Sequence, residues 1–221
     1  GHIVQDAKDY PSGSGDYGHL ITSTGRLNRI FDHANQSGYK PVSINDIVRY
    51  KKGWVEDAQI PEKCYTIIFD DSPFWIHQTP RFRDVLKRYG VKPNIALQMD
   101  FDQTAPNLKT IKQMKSLGWE IVSHSFKHSY IDRYSYPQLL QMISDVRNVF
   151  DTLEIDTNVF VYPYGAIDKK TAKVLKSRGF QVGFKVGSSD IHYGEDDFQM
   201  FRLETSEIGM SWDAIKNVLD R

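Results

Sequence analysis

Hydrophobic positions along this 221-residue chain alternate between two spacings, one typical of buried strands and one typical of helices. Short apolar runs predict about seven strands, over residues 41–44, 66–69, 94–97, 120–122, 159–161, 181–184 and 201–203. Apolar residues three and four positions apart predict helices around residues 27–34, 82–89, 108–117, 139–150, 171–177 and 212–219. Regular alternation of strands and helices favours an α/β protein with a parallel sheet.

Several predicted helices carry their own start and stop signals. Ser43 followed by Asp46 is the pattern of a capping box and predicts a further helix that ends near Gly53. Thr79 and Pro80 fit the N-cap and the first position of the next helix. The remaining signals are a capping serine at Ser211 and closing glycines at Gly38, Gly90, Gly118 and Gly179.

The number of strands suggests how the sheet is arranged. About seven parallel strands in roughly 200 residues fit a closed or nearly closed α/β barrel better than an open nucleotide-binding sheet. The chain also has no glycine-rich phosphate loop. Residues 1–25 are rich in Gly, Ser and Asp and predict a loosely ordered lead-in, followed by a single domain over 26–221.

Composition removes several classes of partner. The 28 basic and 28 acidic residues cancel, so no general attraction to nucleic acid is expected. A single cysteine, Cys64, excludes an intrachain disulfide and a multi-cysteine zinc site. No run approaches the roughly twenty apolar residues of a membrane span.

Candidate chemistry lies at the ends of two predicted strands. Asp70 and Asp71 follow the strand over 66–69, and His124 and His128 follow the strand over 120–122. The aspartate pair alone is more often a turn or a helix cap, and the histidine pair alone fits ordinary hydrogen bonds as well as a metal site. In a barrel, however, carboxyl ends of different strands converge, and one carboxylate with two imidazoles leaves a coordination position open for water. The combination therefore favours a catalytic metal site.

Three segments together resemble a known family. Residues 68–72 (Ile-Phe-Asp-Asp-Ser), 120–128 (Glu-Ile-Val-Ser-His-Ser-Phe-Lys-His) and 159–165 (Val-Phe-Val-Tyr-Pro-Tyr-Gly) are similar to the first three motifs of the NodB-homology polysaccharide deacetylases, in the same order. The resemblance covers roughly residues 40 to 221. The Tyr-Pro-Tyr-Gly form is most similar to the branch that includes poly-N-acetylglucosamine deacetylases.

The resemblance implies a role for each matched residue. It makes Asp71, His124 and His128 ligands of a divalent metal, most often zinc, with Asp70 as catalytic base. It also makes the backbone N–H of Tyr164 a donor to the oxyanion. The implied fold is a distorted (β/α)7-type barrel, and the implied protein is an extracellular or cell-envelope hydrolase that removes N-acetyl groups from N-acetylhexosamine units of a polysaccharide.

The chain departs from the family pattern in four ways. Ser72 stands where the first motif usually has glycine, and Val161 replaces the arginine that many members place two residues before the proline of the third motif. The region 188–198 lacks the tryptophan of the fourth motif. No histidine follows Leu203, where the fifth motif supplies a catalytic acid. Asp70 acting in both directions, or His192 from a polar loop, could replace that acid.

These departures leave two other functions open. The first is a carbohydrate-binding or regulatory protein that keeps a residual metal site but has little catalytic activity. The second is another metal-dependent hydrolase, such as a xylan deacetylase, which the same ligands would serve. Acetate release from different acetylated polymers separates these functions.

Overall fold

A computed structural model describes residues 3–4, 22–53, 60–70, 80–99, 108–187, 197–202, 205 and 211–221. The strands are β1 (Ile3–Val4), β2 (Thr22–Ser23), β3 (Lys40–Pro41), β4 (Cys64–Tyr65), β5 (Ile68–Phe69), β6 (Asn94–Leu97), β7 (Glu120–Ser123), β8 (Val159–Val161), β9 (Val182–Val186) and β10 (Met200–Arg202). The helices are α1 (Thr24–Gln36), α2 (Ile44–Lys51), α3 (Pro80–Arg88), α4 (Leu108–Ser116), α5 (Tyr136–Thr152), α6 (Lys169–Ser177) and α7 (Trp212–Leu219). None of the helices in these ranges is long and apolar enough to cross a membrane.

The chain divides into two compact units. The first comprises Gly1–Asn94 with Glu204–Arg221, and its centre is α1, which packs against α3 and α7. Leu27 and Phe31 of α1 are buried, as the helical spacing predicts. His33 Nε2 lies 2.7 Å from Asp220 Oδ1 and links α1 to the end of α7.

The second unit, Ile95–Leu203, contains the parallel sheet. Its strands lie in the order β6-β7-β8-β9-β10, and β8 pairs in parallel with both β7 and β9. Helices α4, α5 and α6 connect successive strands, so the carboxyl ends of β6 to β9 meet at one edge. All three residues of β8 are buried. This edge carries the candidate chemistry of the unit.

Most predicted elements are confirmed, and two strands are partly wrong. The strand over 66–69 is limited to Ile68–Phe69, and residues 66 and 67 lie between it and β4. The strands over 94–97 and 159–161 have the predicted bounds. The strand over 41–44 is limited to Lys40–Pro41, because Ser43 instead caps α2. The Ser43 hydroxyl accepts a hydrogen bond of 3.0 Å from the Asp46 N–H, and the Asp46 carboxylate accepts one of 3.2 Å from the Ser43 N–H. This reciprocal cap turns Ile44 into the first residue of the helix.

The predicted boundary between lead-in and domain stays a prediction. Residues 5–21, which make up most of the proposed lead-in over 1–25, lie outside the described residues. Within the described part, α1 begins at Thr24. The Ser23 hydroxyl caps it by accepting a hydrogen bond of 3.1 Å from the Arg26 N–H.

Gly183→Ala is expected to destabilise the second unit by about 1 to 3 kcal/mol. A Cβ at Gly183 would lie 2.6 Å from Cζ of the fully buried Tyr162 and would overlap its hydroxyl. Urea denaturation measures the loss. Gly25→Ala is the control, because Gly25 is in α1 with only Ser23 Oγ, at 3.8 Å, near its Cβ position. Equal stability of Gly183→Ala and the wild type would contradict the expectation.

Candidate catalytic site

His124 is fixed at the carboxyl end of β7. It directly follows Ser123, its backbone N–H donates a hydrogen bond of 2.8 Å to the Leu97 carbonyl, and its side chain is fully buried. Nδ1 lies 2.8 Å from the Val161 carbonyl oxygen, which can only accept. Nδ1 therefore carries a proton, and in the neutral imidazole the lone pair that a metal would use is on Nε2. Metal-binding histidines are commonly oriented in this way.

A tight turn brings His128 back towards His124. Ser125 is buried and has a φ of 67°, a left-handed conformation that costs an L-residue roughly 1 to 2 kcal/mol. Its hydroxyl donates to the Lys127 carbonyl and so stabilises the turn. The imidazole centroids of His124 and His128 are 5.1 Å apart. The structure thus brings together two of the three predicted ligands.

Tyr164 lies beside this pair in a second strained turn. It follows β8 within the 3-10 turn Pro163–Gly165 and has a φ of 57°. A Cβ at Gly165 would lie 2.8 Å from the Val186 nitrogen, so only glycine permits this close approach to β9. The Tyr164 ring meets His128 edge to face, with centroids 4.4 Å apart. The predicted oxyanion donor and a predicted ligand are therefore neighbours.

Two further residues at the site were not predicted from the sequence. The Tyr130 ring stacks on Tyr164 with centroids 4.2 Å apart and an angle of 11°. The Arg133 guanidinium carbon lies 4.1 Å above the Tyr130 ring. Tyr130 lies only two residues after the second histidine, but its partner Tyr164 is distant along the chain, so their contact could not be predicted.

Lys170 fixes the segment that carries Tyr130 and Arg133. Its Nζ donates hydrogen bonds of 3.1 Å and 2.6 Å to the carbonyls of Asp132 and Tyr134. The same Nζ lies 3.3 Å from Asp168 Oδ2. Ser129 and Tyr134 share a hydrogen bond of 2.8 Å between their hydroxyls. The amino-terminal end of α6 therefore holds the loop after His128.

Asp168→Ala is expected to lower the free energy of unfolding by about 1 kcal/mol at pH 7, because Asp168 caps α6. Partial burial raises the pKa of Asp168, but hydrogen bonds from Thr171 and the charge of Lys170 outweigh it and hold the pKa below 3.8. The ionised cap is therefore fully effective above that ordinary value and is lost as pH falls through the lowered pKa. Denaturation at pH 7 and at pH 2 to 4 measures the difference in free energy of unfolding between the variant and the wild type. A difference in this free energy that stays constant down to pH 2 would contradict the capping role of the ionised carboxylate.

Of the two predicted aspartates, Asp70 belongs to the first unit, and Asp71 lies outside the described residues. Asp70 directly follows β5 in the first unit, and its Oδ1 is buried. Asp71, Ser72 and His192 fall outside the described residues. In the part of the chain that is described, no three His, Cys, Asp or Glu side chains form a group that could hold a metal ion.

The donor chemistry of the described pair nevertheless fits a divalent metal. Neutral imidazole is a common ligand of zinc, and zinc accepts nitrogen and carboxylate oxygen in one site. The carbonyl of Val161 holds a proton on Nδ1 of His124, so Nε2 is the ring nitrogen available to a metal when the imidazole is neutral. His124 and His128 could therefore hold a metal together with a carboxylate.

The fold is that of several solved deacetylases. A de-N-acetylase from Aggregatibacter actinomycetemcomitans matches with a TM-score of 0.77 and 18% identity, over 98% of this chain and 96% of that one. The Streptococcus pyogenes deacetylase PplD, in complex with acetate, matches with a TM-score of 0.73 and 17% identity, over 91% and 88%. IcaB from Ammonifex degensii matches with a TM-score of 0.72 and 17% identity, over 96% of this chain and 93% of that one. The likeness confirms the predicted α/β fold of the distorted (β/α)7-type barrel.

Sequence comparison then defines the family. The family described as Polysaccharide deacetylase matches residues 57–183, and the chain belongs to this family of hydrolases. A peptidoglycan-N-acetylglucosamine deacetylase from Bacillus cereus is 30% identical over 121 residues, which are 55% of each protein. The chain therefore spans about half the length of that curated relative.

Proposed function

We propose that this chain is a metal-dependent deacetylase that removes N-acetyl groups from N-acetylhexosamine units of a polysaccharide outside the cell or in its envelope. The observation that carries the proposal is the His124–His128 pair, with the tautomer of His124 fixed by Val161 and with Tyr164 against His128. Membership of the polysaccharide deacetylase family supports the reaction class.

The proposed metal ligands are Asp71, His124 and His128, with zinc as the expected ion. The sequence motifs support Asp71, and the donor geometry of the described pair supports both histidines. When bound, such an ion would polarise the acetyl carbonyl and lower the pKa of water, so that hydrolysis could proceed near neutral pH.

The other proposed roles belong to the protein. The Asp70 carboxylate takes a proton from the attacking water, because a carboxylate that does not bind the ion can serve as general base. The Tyr164 N–H donates a hydrogen bond to the oxygen that becomes negative as the acetyl carbon is attacked. The left-handed conformation of Tyr164 supports this role, since successive backbone N–H groups in turns with such residues can form an anion-binding concavity.

The departing amine also needs a proton. We propose that Asp70 returns the proton that it has taken, so that one carboxylate acts first as base and then as acid. His192 is the rival for this step. The experiment compares kcat of His192→Ala with kcat of the wild type between pH 5 and 9. A kcat lower by about a hundredfold, together with loss of the basic limb of the pH–rate profile, would assign the role of acid to His192.

N-acetylglucosamine is the proposed acetylated unit. The Bacillus cereus relative is named for N-acetylglucosamine in peptidoglycan. The Tyr162–Gly165 segment instead resembles the branch that acts on poly-N-acetylglucosamine. The two comparisons therefore indicate different polymers that contain the same sugar. An oligosaccharide made only of N-acetylglucosamine tests the sugar without choosing between the polymers.

An acetate-release assay tests the proposed function. The zinc-loaded and the chelator-treated protein are each incubated with acetylated chitooligosaccharides and with acetylated xylan. Zinc-dependent release from the chitooligosaccharides is expected. Release from xylan alone would show an O-acetyl esterase, and no release from either polymer, with retained binding, would favour a carbohydrate-binding protein.

A further inference from the structure

We propose that Tyr130 is a positioning residue that holds Tyr164 in its left-handed conformation and keeps the Tyr164 ring against His128. The Tyr130 ring contacts both the Arg133 guanidinium and the Tyr164 ring, and Tyr164 in turn meets His128 edge to face, so the four side chains form one continuous chain of contacts. The proposal rests on the proposed function in one respect, namely that the Tyr164 N–H serves as oxyanion donor.

The conformation of Tyr164 must be held by its surroundings, because a φ of 57° is unfavourable for an L-residue. Backbone hydrogen bonds of 3.0 Å and 3.1 Å close the turn, and the side chain is 52% exposed, so neighbouring side chains cover only part of the ring. Among the non-glycine residues that the structure describes, only Ser125, Glu154 and Tyr164 have a positive φ. The buried Ser125 is stabilised by its own hydroxyl, whereas the exposed Tyr164 has a parallel ring stacked on one side.

Tyr130 can supply the constraint because its own segment is anchored elsewhere. Ile131, the next residue, is fully buried, and the Arg133 N–H donates a hydrogen bond of 3.1 Å to the Tyr130 carbonyl. Lys170 binds two further carbonyls of the segment. Tyr130 is thus fixed from α6 and the interior, while Tyr164 belongs to the separate turn after β8.

The exposure of the stack favours a local role over a role in global stability. Tyr130 is 41% exposed, so replacing it removes little buried apolar surface. Arg133 is also exposed, and its guanidinium lies over the Tyr130 ring. The Tyr164 ring stacks nearly parallel to the same ring. Loss of the ring should therefore change the geometry of Tyr164 before it changes folding.

The test compares Tyr130→Ala with Tyr130→Phe, which keeps the ring. The first measurement is the backbone conformation of Tyr164 in the metal-free protein, from its NMR coupling constant and Cα chemical shift. Tyr130→Ala is expected to shift both away from left-handed values, and Tyr130→Phe is expected to preserve them. Tyr136→Ala is the matched control, because Tyr136 is another exposed tyrosine nearby in sequence, at the start of α5.

The second measurement is deacetylation by the zinc-loaded variants. Tyr130→Ala is expected to lower kcat at least about tenfold with KM within about threefold, as when an interaction of the transition state is lost. Tyr130→Phe and Tyr136→Ala should stay within about threefold of the wild type. The melting temperatures should agree within about 2 °C. If Tyr130→Ala does not fold, Tyr130→Leu fills the space without a stacking ring and is expected to give the same result.

The two measurements separate this proposal from the proposed function. Unchanged NMR parameters for Tyr164 in Tyr130→Ala would overturn the positioning role, whatever the activity. A wild type that releases no acetate, together with altered parameters in Tyr130→Ala, would overturn the proposed function and leave Tyr130 as the residue that positions Tyr164. Equal losses of kcat in Tyr130→Phe and Tyr130→Ala would show that the hydroxyl acts, and would also overturn the stacking role.

Discussion

His128→Ala is expected to lower the affinity for zinc by more than about a hundredfold. Losing a residue that only orients a ligand costs about ten- to a hundredfold, and losing one of three ligands should cost more. His124→Ala should have an equal or larger effect, because His124 is fully buried with its tautomer already fixed. Competition titration with a chromophoric chelator measures affinity, and elemental analysis measures occupancy.

A third histidine provides the control for this experiment. His33 bonds to Asp220 in the first unit, so His33→Gln should leave zinc affinity unchanged. Full zinc occupancy in His128→Ala would show that His128 is not a ligand. Equal weakening by all three substitutions would show that the metal binds nonspecifically.

Asp70→Asn is expected to keep the metal and to lose two to four orders of magnitude in kcat, roughly the contribution of a general base. Asparagine has nearly the same shape as aspartate but cannot take a proton from water at neutral pH. The measurements are acetate release under zinc saturation and zinc content by elemental analysis. The two results together distinguish a base from a ligand.

Two results of the Asp70→Asn experiment would contradict the role of Asp70 as a base. If zinc is lost with activity, Asp70 is a ligand and not only a base. If the rate is unchanged, Asp70 has no part in the reaction, and the proposed proton return to the amine is also wrong. Asp84→Asn is a matched control, because Asp84 is an exposed carboxylate on α3 in the same unit.

Much of the fold could be predicted because burial here follows simple periods. Val159, Phe160 and Val161 form a continuous apolar run and are all buried in β8. The strand over 41–44 was mispredicted because the β-propensity of Val42 and Ile44 competed with a capping serine between them. In that competition the local hydrogen bonds of Ser43 determined where the helix begins.

The candidate site was predicted in part. His124, His128 and Tyr164 could be identified because they lie in short motifs at strand ends, and the structure brings them together. Tyr130 and Lys170 could not be identified, because their contacts at the site are with partners about 35 residues away in sequence. A single sequence contains no signal for such pairs, since stacking and carbonyl contacts require no particular motif.

The close fit between Tyr162 and Gly183 constrains how this protein can evolve. A side chain at position 183 overlaps the buried ring at position 162, so the two positions cannot change independently. A smaller residue at 162 relieves this overlap, so alanine at 183 costs less stability when the change at 162 comes first. The order of substitutions therefore matters, and natural variants should show glycine at 183 wherever an aromatic residue occupies 162.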